Sequence, residues 1–157
     1  MKYAVMQPYF IPYLGYWQMM AEVDVFVVYD DVQFVKRSWI TRNRMIVANE
    51  PSWISLPTKK TSQKSAINTI SLSSDLLPNF WKKMRRTILT NYAKAEELDE
   101  LMRWVDVLES LSFRHLNLSD FLYNQLVWVN NELELEKNLI RSSEMSVPCD
   151  LSRVERL

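Results

Sequence analysis

The chain has 157 residues, 48% hydrophobic and 24% charged, with 19 Lys+Arg against 19 Asp+Glu. That length suits one globular core rather than two, and the balanced charge gives no global field toward nucleic acid or an anionic membrane, so any anion site has to be local. A single glycine excludes glycine-rich Rossmann and P-loop phosphate motifs. One cysteine, Cys149, excludes an internal disulfide framework and, beside the lone His115, a Cys/His zinc cluster.

Tyr3 to Met6 reads as a buried strand ending at Gln7-Pro8, Leu14 to Glu22 as a short helix, and Val23 to Tyr29 ("VDVFVVY") as a second buried strand ending at Asp30-Asp31. Such a β-α-β crossover is right-handed and parallel, which places Gln7 to Tyr9 and Tyr29 to Asp31 on one sheet edge, where open α/β sheets bind ligands. "RMIVAN", a turn at "NEPS" and "WISLP" predict a hairpin, and "AINTISLS" a further strand. Pro78 opens a helix to about Tyr92, Glu96 to Ser110 forms another, and Ser119 caps a third. "KNLIRSS" returns as a strand. Ser152 starts a last helix, with Val154 and Leu157 on its stripe, but one turn cannot bury a useful face, so a C-terminal segment is expected to be missing. The fold class expected over residues 1–157 is a single α/β domain: a Rossmann-like parallel β-α-β unit, a hairpin, a mainly helical second half and a returning strand. No signal peptide precedes Pro8, and no uncharged apolar run reaches the roughly 18 residues that span a bilayer. A cytoplasmic protein without membrane insertion is expected.

Asp30 and Asp31 alternate across the strand end, so one enters the crevice as a base toward an amine or sugar hydroxyl while the other caps the next turn. The bland reading makes both mere strand terminators. As a metal site the pair lacks further oxygen ligands, so no metal is assigned. Lys36, Arg37, Arg42 and Arg44, interleaved with Phe34 and Trp39, form the densest basic segment. Guanidinium groups grip diphosphate oxygens and an indole stacks on a base or sugar; the alternative is a solvated hairpin. A single-stranded nucleic-acid groove is disfavoured by zero net charge. Tyr9 and Tyr13 stand nearest the crevice. His115 reads as structural or surface, and Cys149 as a passive thiol.

"MQPYFIPYLGYWQMM", "VDVFVVYDDVQFVKRSWITRNRM" and "WISLPTKK" strongly resemble the signature of the WbqC-like family, bacterial proteins found among genes for O-antigen and other surface-polysaccharide synthesis; "NYAKA" and "SRVERL" match later segments. The resemblance implies a role in making a modified sugar. Gln7, Pro8, Tyr9, Asp30, Asp31, Gln33, Lys36, Arg37, Arg42 and Asn43 match the family's polar signature. A weaker resemblance, of "PYLGY" to the histidine-x-glycine-histidine turn of nucleotidylyl transferases, puts Tyr13 and Tyr16 where the two histidines stand and lets Gly15 approach a ligand closely.

The function that the WbqC-like resemblance implies is acyl or aminoacyl transfer to the amine of a nucleotide-activated amino sugar, with an activated acyl or aminoacyl carrier as the other partner. Asp30 or Asp31 is the base; Gln7, Tyr9, Tyr13, Gly15, Gln33, Lys36, Arg37, Trp39, Arg42 and Asn43 bind substrate. No cofactor is assigned, and the acyl donor and oligomeric state stay open. The alternatives are a nucleotidyl- or adenylyl-transfer enzyme and a non-catalytic sugar-nucleotide-binding module.

Overall fold

The computed structural model describes residues 1–62 and 64–145, so Cys149 and the helix expected from Ser152 lie outside the described residues. The elements run β1 (Tyr3–Met6), α1 (Leu14–Ala21), β2 (Val25–Val28), β3 (Arg42–Val47), β4 (Glu50–Ser55), a 3-10 turn (Ile67–Thr69), α2 (Leu77–Asn91), α3 (Leu98–Arg114), α4 (Leu118–Glu132), β5 (Asn138–Arg141) and a second 3-10 turn (Ser142–Glu144).

The four residues of β2 are all buried. A continuous β-branched and aromatic run suits a central strand covered on both faces, and β2 lies between β1 and β5 in an all-parallel sheet of order β1-β2-β5. The register aligns Met6, Val28 and Arg141, so the three strands end on one edge. The expected α/β architecture and shared edge are therefore present. Tyr16 and Met20 of α1 join Ala4, Phe26, Val28 and Leu126 in one core. The larger core gathers Phe10, Phe34, Ile40 and Leu56 with the inner faces of α2, α3 and α4. Tyr9 packs against both. Trp81 is fully buried there and its indole N–H donates to Ser112 Oγ at 2.9 Å, the partner such a ring needs in an apolar interior.

Three expectations are corrected. The hairpin turns at Ala48-Asn49, one step before "NEPS": both residues have positive φ, 51° and 65°, and Val47 pairs with Glu50, which is the two-residue turn whose twist matches the strands. Pro51 thus sits inside β4, and the tip is docked on the end of α2, where Tyr92 Oη accepts from Ile46 N and Asn91 Oδ1 from Ala48 N. "AINTISLS" is not a strand. Its backbone bonds reach separate segments: Ile67 N to Val32 O, Asn68 N to Asp30 O and Leu72 N to Leu116 O. Thr69 Oγ1 donates back to Ala66 O, which favours a turn. The α4 N-cap is Asn117, whose side chain accepts from Asp120 N; Ser119, two positions further on, donates to Asp30 instead.

Candidate functional site

The sheet edge is closed by polar side chains. Asp30 is completely buried, and its carboxylate accepts from the hydroxyls of Ser119 at 2.5 Å and Ser143 at 2.9 Å and from the Ser143 N–H at 3.0 Å. Ser142 Oγ accepts from the Asp30 N–H and lies 2.6 Å from Asp31 Oδ1, to which it donates. Asp30 thus faces a serine cradle instead of an open crevice, while Asp31 keeps part of its surface in solvent. Arg141, at the end of β5, is fixed beside them by Asp120 at 2.5 Å and Glu144 at 2.7 Å.

The aromatic-proline loop after β1 is held by two amides. Asn43 Nδ2 donates to the carbonyls of Phe10, at 3.2 Å, and Ile11. Gln125 of α4 donates to Tyr9 O at 2.9 Å and accepts from Ile11 N at 3.1 Å. Ile11 has φ of 50°, an outlier for a β-branched residue that persists only because its neighbours over-determine it. Asn43 therefore acts on this loop. The closest space above Gly15 is taken by the Tyr13 ring, whose Cε2 would lie 3.0 Å from an added Cβ. Tyr13 itself is 55% exposed. Tyr16, in contrast, is buried and its hydroxyl donates to Gln7 O at 3.2 Å, which removes it from the role of the second motif histidine. Burial, and secondarily the neighbouring Tyr13, raises the Tyr9 pKa above its ordinary 10.

The basic segment folds into a cleft of about 650 Å³ lined by Phe34, Lys36, Arg37, Thr41, Arg42, Ser55, Thr58, Lys59, Lys60 and Thr61. Its walls are pinned through Phe34 N to Ser65 O, Leu56 N to Thr41 O and Lys59 N to Ser71 O. Five cations converge with no carboxylate among the lining residues, and none of the five forms an ion pair among the described residues. Like charges lining one cleft repel, so an anion held between them is favoured electrostatically. Arg37 adopts φ of 60°, a left-handed conformation that costs a non-glycine residue about 1 kcal/mol. Lys59 and Lys60 were not singled out by sequence; "PTKK" after an apolar strand was the available signal. Gln33, bridged to Ala66, precedes the Phe34 floor.

A second cavity of about 480 Å³ lies between the hairpin and α2. Met45, Val47, Ile54, Phe80 and Met84 supply its apolar lining, with Lys83, Ser52 and Thr87 as polar groups; Ser55 lines both cavities. Among the described residues no cluster of three or more His, Cys, Asp or Glu could hold a metal, and no helix is long and apolar enough to cross a membrane.

Fold and cleft define an α/β protein with a short parallel sheet and a cationic side-chain cleft in place of a glycine-rich phosphate loop. The family model of the WbqC-like protein family matches residues 7–157, and the chain belongs to that family. It is also similar to Uncharacterized protein Rv1507c of Mycobacterium tuberculosis, 32% identical over 120 residues that cover 75% of this chain and 50% of that protein. The chain thus spans about half the length of the curated relative it matches. No solved structure matches it.

Proposed function

We propose that the chain binds a nucleoside-diphosphate amino sugar and directs transfer of an acyl or aminoacyl group to the sugar amine, a cytoplasmic step in surface-polysaccharide synthesis. The observation that carries the reading is the cationic cleft, in which Lys36, Arg37, Arg42, Lys59 and Lys60, with no carboxylate among the described lining residues, border a volume that accommodates a diphosphate. Membership of the WbqC-like family supports the sugar context. The apolar cavity between the hairpin and α2 supports a two-substrate reaction, since an acyl group needs a dry surface near the acceptor and Ser55 is a lining residue of both cavities.

In the reaction the amine nitrogen attacks the carbonyl carbon of an activated acyl donor. The N–C bond forms as the bond from that carbon to the donor's leaving group breaks, and the amine proton passes to a carboxylate. Asp31 takes that role, because part of its surface reaches solvent while Asp30 is completely buried.

Calorimetric titration of the chain with UDP-glucosamine, with ATP in parallel, tests the reading. Binding of the sugar nucleotide that disappears in an Arg37→Ala/Arg42→Ala variant is the expected result, with Asp31→Asn binding normally. A clear ATP signal without sugar-nucleotide binding favours nucleotidyl transfer, and sugar-nucleotide binding indifferent to both arginines removes the cleft from the site.

A further inference from the structure

We infer that the outer face of the β3-β4 hairpin is a nucleobase-stacking subsite in which Trp39, Trp53 and Arg44, joined to the cleft by Arg42, take the planar base of a nucleoside diphosphate. Resting on the assignment of phosphate to the cleft, it places the half of the ligand that the cleft leaves outside.

Antiparallel pairing puts Arg44 opposite Trp53 and Arg42 opposite Ser55, two steps apart and hence on the same face of the ribbon. The Trp39 and Trp53 rings stand 5.6 Å apart, tilted by 48°. The Arg42 guanidinium carbon lies 4.1 Å from the Trp53 centroid, and that of Arg44 lies 5.3 Å from Trp53 and 5.6 Å from Trp39. Arg44 and the two indoles thus form a triangle of contacts, with Arg42 lying over Trp53. Arg42 belongs to both places, since it lines the cleft and lies on Trp53. Patch and cleft are therefore continuous through one side chain.

Exposure separates this patch from the core aromatics. Trp81 is fully buried, yet Trp53 keeps 50% of its surface open, on a face whose neighbours are two arginines. The two arginines give this indole cation–π contacts of their own, worth about 0.5 to 1 kcal/mol each at an exposed site, and the half of its surface that stays open is the area offered to a base. Every base has a π-face, and both indoles and guanidinium planes stack on it without reading its edges. A phosphate in the cleft next to Arg42 has its nucleoside within reach of this patch, whereas inorganic pyrophosphate gains nothing from it. The subsite thus accounts for preference for a nucleotide over a bare anion.

Titration of the full chain with UDP and with inorganic pyrophosphate reads this directly. The unmodified chain is expected to bind UDP at least about tenfold tighter than pyrophosphate, the size of one stacking contact. Trp53→Ala brings that ratio toward one, and Trp53→Phe keeps much of it. Because Trp53 also supports Arg42, the ratio of the two affinities is the readout and not either alone; circular dichroism confirms that the half-exposed position leaves the fold intact. Pyrophosphate binding with a ratio unmoved by Trp53→Ala overturns the base subsite and leaves the cleft standing. Failure of the unmodified chain to bind either ligand overturns the phosphate assignment and this subsite with it.

Discussion

The Ser119 hydroxyl lies 2.5 Å from Asp30 Oδ2 and ties the first turn of α4 to the end of the central strand. With Ser143 on the same carboxylate and Ser142 on the Asp30 N–H, this one buried side chain joins β2, α4 and the turn after β5. A hydrogen bond to a charged group contributes about 1.5 to 3 kcal/mol, and removing the acceptor leaves buried donors unmatched. Asp30→Ala is expected to lower stability by about 3 kcal/mol, with Asp31→Asn losing much less because its carboxylate is part solvated. Urea unfolding with unchanged slope compares them. Equal midpoints for the two variants would show that the serine cradle is not what holds this edge.

The clamps on the aromatic-proline loop give a second expectation. Asn43 and Gln125 reach Tyr9-Phe10-Ile11 from a hairpin and from a helix, so each alone leaves the other amide in place. Asn43→Ala and Gln125→Ala should each cost about 1 to 3 kcal/mol. Both act on the strained Ile11, and the double variant should depart from the sum of the singles, as residues sharing one partner do. Strict additivity in a double-mutant cycle would mean that the two amides act independently of the loop's conformation.

What could be read from sequence was what local pattern encodes. The run Val25 to Val28 and the helix from Leu14 carry their own periodicity, and the right-handed crossover rule then fixed the shared strand edge. The turn at Ala48-Asn49 was hidden by Pro51, which draws the eye to a later break although a proline is tolerated in an edge strand. Asp30 was legible as a polar residue at a strand end, but the side to which it turns depends on Ser119 and Ser142, 89 and 112 positions away. Gln125 serves a loop 114 positions distant, so nothing near it marks its role. The cleft was half legible. Lys36 to Arg42 form a visible basic run, while Lys59 and Lys60 join it only after β4 has returned alongside β3.

Arg37 separates stability from binding. Its left-handed backbone costs about 1 kcal/mol that glycine does not incur, whereas its guanidinium lines the cleft. Arg37→Gly is therefore expected to leave stability equal or raise it by up to about 1 kcal/mol while weakening pyrophosphate binding by about tenfold, the effect of one charge-assisted contact. Paired urea unfolding and titration at low salt check both halves. A variant that binds as tightly as the parent would place the anion away from Arg37.

Tyr16 sets the behaviour at high pH. Burial, then the nearby Tyr9 and Tyr13, raises its pKa far above the ordinary 10, and its hydroxyl donates to Gln7 O at 3.2 Å. In the unfolded chain the same phenol ionises near pH 10. The neutral form is thus favoured by folding: the contribution is complete below pH 10 and is lost as pH rises from there toward the folded value, at about 1.4 kcal/mol per unit for one proton. Tyr16→Phe abolishes this loss at the cost of about 1 kcal/mol near neutrality for the missing hydrogen bond. Urea midpoints followed from about pH 8 to pH 11 should begin lower for the variant and fall more gently than those of the parent, so that the two curves approach one another. Parallel curves would assign the alkaline limb to other groups, Tyr9 first, since burial raises its pKa as well.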